Sequence, residues 1–254
     1  MSTRLHWQTQ GQGPDVILLH GWGMNGAVWE ATAQQLAQHF TVHVVDLPGY
    51  GHSADVEATD MRGIVSLLIE QAPKQATWIG WSLGGLVASQ VALSHPERVL
   101  KLVTVASSPK FAADLPWRGI KPQVLSAFTE QLTQDFDTTI ERFMALQAMG
   151  SPSARQDVKT IKKAVLSRPS PNEHALQLGL SFLANIDLRE AVSELTLPVL
   201  RLYGRLDGLV PVKVAADMQS LLPSSSQFIF TQSSHAPFIT ESEEFNKQLV
   251  TFVG

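Results

Sequence analysis

Short apolar runs alternate along this chain with longer stretches of helical periodicity, and that alternation restricts the fold more than any other feature. The runs at residues 16–19, 42–45, 77–79, 99–105, 199–203 and 227–230 are apolar along much of their length, as strands buried on both faces must be. Helical patterns at about 28–38, 60–71, 83–94, 212–222 and 242–253 lie between or after them. The spacing is that of consecutive βαβ units, so it predicts an α/β fold with a mostly parallel sheet flanked by helices. The alternation breaks once. From about 110 to 187 only helical periodicity is present, as at 124–132, 139–148 and 154–166, before Leu197-Pro198-Val199-Leu200 resumes the sheet. We therefore expect a core of residues 1–109 and 188–254 with an inserted helical cap, or lid, of residues 110–187. At 254 residues the chain can bury one such core with an excursion.

Composition narrows the function classes. A net charge of −4 argues against a general nucleic-acid binder, whose footprint is basic. The absence of cysteine removes disulfides, thiolate metal sites and a cysteine nucleophile. The first ten residues hold no apolar signal region, and no apolar stretch reaches the roughly 20 residues that span a bilayer. A soluble, cytoplasmic monomer with no cofactor or metal, and no nucleic-acid or membrane partner, is the expectation.

Gly80-Trp81-Ser82-Leu83-Gly84 matches G-x-S-x-G. The pattern is weak alone, and a serine between strand and helix can be only an N-cap. Here it directly follows the run at 77–79 and opens the helix at 83–94, the strand–turn–helix context that lifts a nucleophilic hydroxyl above a sheet. A serine hydroxyl needs a base. Of eight histidines, His235 lies in the turn-like Ser233-Ser234-His235-Ala236-Pro237 after the run at 227–230, at the carboxyl edge of the sheet where functional loops gather. His6, His39, His43 and His95 fall in strand or helix-end contexts, while His52 and His174 could approach the site without being the base. Asp207, in Tyr203-Gly204-Arg205-Leu206-Asp207-Gly208, follows the run at 199–203 and can orient the imidazole. Asp187 is its competitor, but its place at the close of the cap suits a hinge or capping role. Acyl transfer also needs preorganised donors for an oxyanion. The backbone N–H of Leu83 and that of Trp22, in His20-Gly21-Trp22-Gly23, are the candidates, although that loop could be a plain glycine-rich turn. His20 reads as a partner that stabilises this loop.

With elbow, acid, base and oxyanion loop in the order Ser, Asp, His, the chain resembles the α/β-hydrolase superfamily from end to end. Asp46-Leu47-Pro48-Gly49-Tyr50-Gly51-His52-Ser53 adds a turn common in that superfamily. Within it, the chain is most similar to the biotin-pathway carboxylesterases that act on pimeloyl-acyl-carrier protein. The residues carrying this are Leu18–Gly23, Gly80–Gln90, Val103–Pro109, Glu141-Arg142-Phe143, Ala154-Arg155-Gln156-Asp157, Leu206–Pro211 and His235-Ala236-Pro237-Phe238. The resemblance implies a methyl ester substrate on a pimeloyl chain borne by acyl carrier protein, with small esters as side substrates. It implies that Trp22, Ser82, Leu83 and His235 meet the substrate, and that Phe143, Met144, Ala145, Leu146 and Gln147 line an acyl channel. A general short-chain carboxylesterase and a non-catalytic ligand receptor on the same scaffold stay open, because a fold hosts many functions.

An acidic carrier docking on an acidic enzyme needs a local positive surface. From Arg142 to Arg168 six basic residues face one acid, Asp157, a local net of +5. Arg155, Lys159, Lys162 and Lys163 fall at i, i+4, i+7 and i+8, one helix face. With Arg142 they form the candidate docking surface, or else an ordinary solvated face.

Overall fold

A computed structural model describes residues 4–254 of the chain. Seven strands form one sheet: β1 (Trp7–Gln10), β2 (Asp15–Leu19), β3 (Thr41–Val45), β4 (Ala76–Trp81), β5 (Val99–Val105), β6 (Val199–Gly204) and β7 (Ser226–Phe230). Their spatial order is β1-β3-β2-β4-β5-β6-β7, parallel throughout except for antiparallel β1 on β3. The six expected strands are present. β1 was not expected, because Trp7-Gln8-Thr9-Gln10 sits at an edge where polar side chains face solvent and the apolar signal fails. β4 and β6, by contrast, are buried at every residue.

Helices α1 (Glu30–Leu36), α2 (Met61–Gln71), α3 (Leu83–Ser94), α8 (Arg189–Ser193), α9 (Val214–Leu221), α10 (Pro237–Thr240) and α11 (Ser242–Val253) belong to the parts of the chain that build the sheet. Between β5 and β6 lie α4 (Pro122–Gln134), α5 (Phe136–Ala148), α6 (Ala154–Val165) and α7 (Glu173–Asn185). Three of these were legible in outline. α7 was not, although Asn172 caps it by accepting from the Ala175 N–H at 2.7 Å. The helix expected at 28–38 opens as a short 3-10 turn, Gly26–Trp29, capped by Asn25.

The strand order reverses at β2. Its chain successor β3 lies on one side, and β4 lies on the other. Such a switch point leaves a crevice outside the carboxyl ends of the two parallel strands. The loop after β2 carries His20 to Gly23 and the turn after β4 carries Ser82, so topology alone brings that loop and the turn together. At the root of the inserted block, Asp187 accepts from Lys110 Nζ at 3.0 Å and from the Arg189 guanidinium and backbone N–H. The Leu188 N–H donates to the Pro109 carbonyl at 2.9 Å. Asp187 thus ties the entry and exit of the insertion together, and its carboxyl is held far below the usual carboxylate range, first by the Arg189 hydrogen bonds.

Candidate active site

Ser82 stands between β4 and α3 at φ 55° and ψ −119°, one of two non-glycine residues with positive φ among those described. Such strain at a strand–helix turn belongs to a nucleophile elbow. Its flanking glycines are dictated by contact. A Cβ on Gly80 would lie 2.1 Å from the Gly84 carbonyl oxygen, and one on Gly84 would lie 2.5 Å from that of Leu19. The elbow is held below by Ser82 N–H on the Val105 carbonyl, 2.9 Å, and by Ser107 Oγ donating to the Ser82 carbonyl, 2.8 Å.

His235 and Asp207 come from the loops after β7 and β6 and meet as an ion pair or hydrogen bond, Nδ1 to Oδ2 at 2.7 Å. The second oxygen of Asp207 accepts from the N–H groups of Leu209 and Val210 at 2.8 and 2.9 Å. Two backbone donors therefore fix which carboxylate oxygen faces the imidazole. The outer nitrogen of His235, Nε2, is buried and has no protein hydrogen-bond partner. Trp81 donates its indole N–H to the His235 carbonyl at 2.7 Å, which ties the histidine to the residue before Ser82. All three side chains are buried. An imidazole locked at Nδ1 and unpartnered at Nε2 is chemically able to take up a proton.

The loop after β2 passes close enough that a Cβ on Gly21 would lie 3.2 Å from Ser82 Cβ. Neither the Trp22 nor the Leu83 backbone N–H donates to an acceptor among the described residues, and both residues are buried. The Trp22 indole instead donates to the Leu176 carbonyl of α7, 2.8 Å, and its ring meets Phe143 edge-on.

His20 is no base. Its Nδ1 bonds the Gly21 carbonyl at 2.8 Å and its Nε2 accepts from the Leu47 N–H at 3.0 Å, so the ring is neutral and clamps the loop, as expected. Burial pushes its pKa down to about 4, against an opposing pull from Asp46. In the unfolded chain the ring binds a proton near pH 6.5. Between those values the unfolded state holds more protons, so the stabilisation is complete above about pH 6.5 and is lost as pH falls toward 4. Between pH 7 and pH 5 this removes about 2 kcal/mol. Urea unfolding at both values should show a shallower loss for His20→Gln than for the wild type. Equal losses would mean that His20 does not resist protonation. His52 packs against His6, and His174 is exposed with its ring on the Ala58 carbonyl. Neither bonds Ser82, Asp207 or His235.

Beside Ser82 lies an apolar cleft lined by Phe111, Ile120, Leu125, Phe128, Phe143, Leu180, Leu183 and Leu209. Of the five consecutive residues expected to line an acyl channel, Phe143 lines this cleft. Met144 is buried, Ala145 is exposed and Leu146 is half-buried, because successive helix residues point about 100° apart. Gln147 is buried, and its carbonyl accepts from the His235 N–H at 2.9 Å. Phe111, Leu180 and Leu183 carry no chemical motif, so only their place in the fold reveals them.

Arg142, Arg155, Lys159, Lys162 and Lys163 are all exposed. Lys162 is paired with Glu141 at 2.5 Å. Arg168, counted in the basic segment, instead forms a largely buried pair with Asp46 at 2.7 Å. The one acid of the segment, Asp157, is turned inward and buried. Among the described residues no group of three or more side chains could hold a metal ion, and no helix is long and apolar enough to cross a membrane.

A family model described as the alpha/beta hydrolase fold matches residues 14–242. The pimeloyl-[acyl-carrier protein] methyl ester esterase of Vibrio vulnificus (strain CMCP6) is 68% identical over 254 residues, covering 100% of both chains. The esterase of the same name from Aliivibrio fischeri (strain ATCC 700601 / ES114) is 61% identical over 254 residues, with 100% of this chain and 99% of that one covered. Among solved structures, an esterase from Exiguobacterium antarcticum superposes with a TM-score of 0.89 at 25% identity, over 98% of this chain and 95% of that one.

Proposed function

The chain belongs to the α/β-hydrolase family, and on that premise we propose that it is a serine carboxylesterase hydrolysing the methyl ester of pimeloyl-acyl-carrier protein. Ser82 is its nucleophile, His235 its base and Asp207 the acid that orients the base. The observation that carries the chemistry is the buried His235, bonded to Asp207 through Nδ1 and unpartnered at Nε2. The substrate is supported by full-length relatives bearing that activity in their name at 61–68% identity.

Ser82 Oγ attacks the ester carbonyl while its proton passes to His235 Nε2. The imidazolium is stabilised by Asp207, and the oxyanion by the Leu83 and Trp22 N–H groups. Collapse of the tetrahedral intermediate expels methanol, which takes its proton from His235. Water, deprotonated by the same nitrogen, then releases the free carboxylate and restores Ser82. None of these steps uses a metal or an organic cofactor. The aliphatic chain lies in the apolar cleft walled by Phe143 and α7. Residues 110–187 act as a cap over the core of 1–109 and 188–254. The enzyme acts as a monomer, and the carrier-bound substrate supports a cytoplasmic setting.

The carrier docks on the exposed face of Arg142, Arg155, Lys159, Lys162 and Lys163. With Asp157 turned inward, the negative charges set against that face are Glu141, paired with Lys162, and Asp135 near Arg142. A pair of substrates tests both parts. Wild-type protein should turn over a small chromogenic ester and the carrier-linked methyl ester, and failure on both would favour a ligand receptor. Reversing Arg142, Arg155 and Lys159 to Glu should raise KM for the carrier-linked ester on the order of tenfold or more, leaving the small ester nearly unchanged. Salt should weaken only the carrier-linked reaction. Equal losses on both substrates would mean cap damage, and no loss on either would remove the docking surface.

A further inference from the structure

One corner of the cap touches both loops that carry the Asp207–His235 pair. It lies between the end of α5 at Ala148 and the start of α6 at Ala154. On one side, the Gln147 carbonyl accepts from the His235 N–H at 2.9 Å. On the other, a Cβ at Gly150 would lie 3.6 Å from the Cβ of Leu206, the residue before Asp207. The corner is gathered by a single atom. Asp157 Oδ2 accepts from Ser151 Oγ at 2.8 Å, Ser153 Oγ at 3.0 Å and Thr240 Oγ1 at 2.9 Å. Ser151 and Ser153 belong to the corner. Thr240 ends α10, which begins two residues after His235.

Asp157 is 4% exposed, and a buried carboxylate that accepts from three hydroxyls is a costly way to hold a turn. Apolar packing could do that at less cost. What the hydroxyl set does provide is direction, because it joins the corner to the segment that carries His235. The core holds that segment through Trp81 on the His235 carbonyl and through Asp207 on the ring, whereas its backbone N–H is held by the cap. The last carbonyls of a helix lack intrahelical partners, so Gln147 can serve, and the negative end of α5 favours the imidazolium formed in the reaction.

We propose that Asp157 is a positioning residue for the base, fixing the cap corner so that the Gln147 carbonyl holds His235. This rests on His235 being the base. Displacements of an ångström at a reacting group can cost about 10²-fold in rate. Asp157→Ala should therefore lower kcat on a small soluble ester by roughly 10- to 100-fold with KM unchanged. Asp157→Asn keeps an acceptor oxygen and should recover most of the rate. Thr240→Val leaves the carboxyl group in place, removes one donor and should fall between, and it serves if Asp157→Ala does not fold. Amide exchange at His235 should quicken in the same order, while β4 and β5 stay protected. Unchanged kcat in Asp157→Ala and Thr240→Val would overturn the proposal. So would a lower Tm with His235 exchange intact, or kcat and KM moving together. If Ser82→Ala kept its turnover the base assignment would fail, and the exchange measurement would still decide whether Asp157 holds this segment.

Discussion

Ser82→Ala should fold as the wild type does and lose ester hydrolysis by a factor of about 10³ or more in kcat. The substitution deletes one oxygen, while the turn is held through the Ser82 backbone N–H and carbonyl. Alanine meets the same φ of 55° with the same Cβ, so the strain of the turn is little changed. Substrate binding should survive, because the cleft and both oxyanion donors remain. The change thus falls in kcat, with KM little altered. A folded Ser82→Ala protein with near-wild-type turnover would rule out the proposed nucleophile.

Asp207→Asn should cost on the order of 10⁴ in kcat, and the structure fixes why. Leu209 and Val210 donate their N–H groups to Oδ1, so an asparagine there must place its carbonyl oxygen at that position. Its NH₂ group then faces His235 Nδ1, replacing the oxygen that accepts at 2.7 Å. The imidazole must become an acceptor at Nδ1 and carry its proton on Nε2, where it can no longer take one from Ser82. The loop keeps both backbone hydrogen bonds, so the melting temperature should move far less than the rate. Parallel measurements of kcat and Tm check this. A variant retaining more than about a tenth of the wild-type kcat would contradict the tautomer argument.

Much of this was legible in the sequence because the chemistry needs local context that a linear pattern can display. Strand, G-x-S-x-G and helix are contiguous, and the loops of Asp207 and His235 each follow a strand buried enough to read as apolar. The strand order that joins the His20–Gly23 loop to the elbow is not written in any one segment. It follows from the packing of the βαβ units. β1 was missed because an edge strand satisfies its polar face with water. A run of five consecutive residues cannot all face one side of a helix, so Phe143 meets the cleft beside Ser82 while Ala145 is exposed. Phe111, Leu180 and Leu183 converge from distant parts of the chain, and their apolar character alone says nothing of where they meet.

The insertion reads in sequence as a lid laid over a finished site. In the structure this segment also bonds the loops at the carboxyl edge of the sheet. Asn25 donates to the Val165 carbonyl, Trp22 to that of Leu176 and Tyr50 to that of Ala175. Arg168 reaches Asp46, which also accepts from the Gly26 and His52 N–H groups. The loop after β2 and the turn after β3 are therefore held in part by residues 165–176 of the β5–β6 connection. On the proposed function, such buried bonds couple this segment to the site, so damage to it should show in rate before it shows in the stability of the sheet.

The central claim is the substrate, and one incubation tests it directly. Purified protein is mixed with pimeloyl-acyl-carrier protein methyl ester, and the intact carrier is followed by mass spectrometry alongside released methanol. The carrier should lose the mass of one methylene unit as ester becomes acid, with methanol in equal amount and the carrier thioester intact, and Ser82→Ala should leave it unchanged. A carrier that keeps its methyl group while a small chromogenic ester is hydrolysed would contradict the claim and leave a general carboxylesterase in its place.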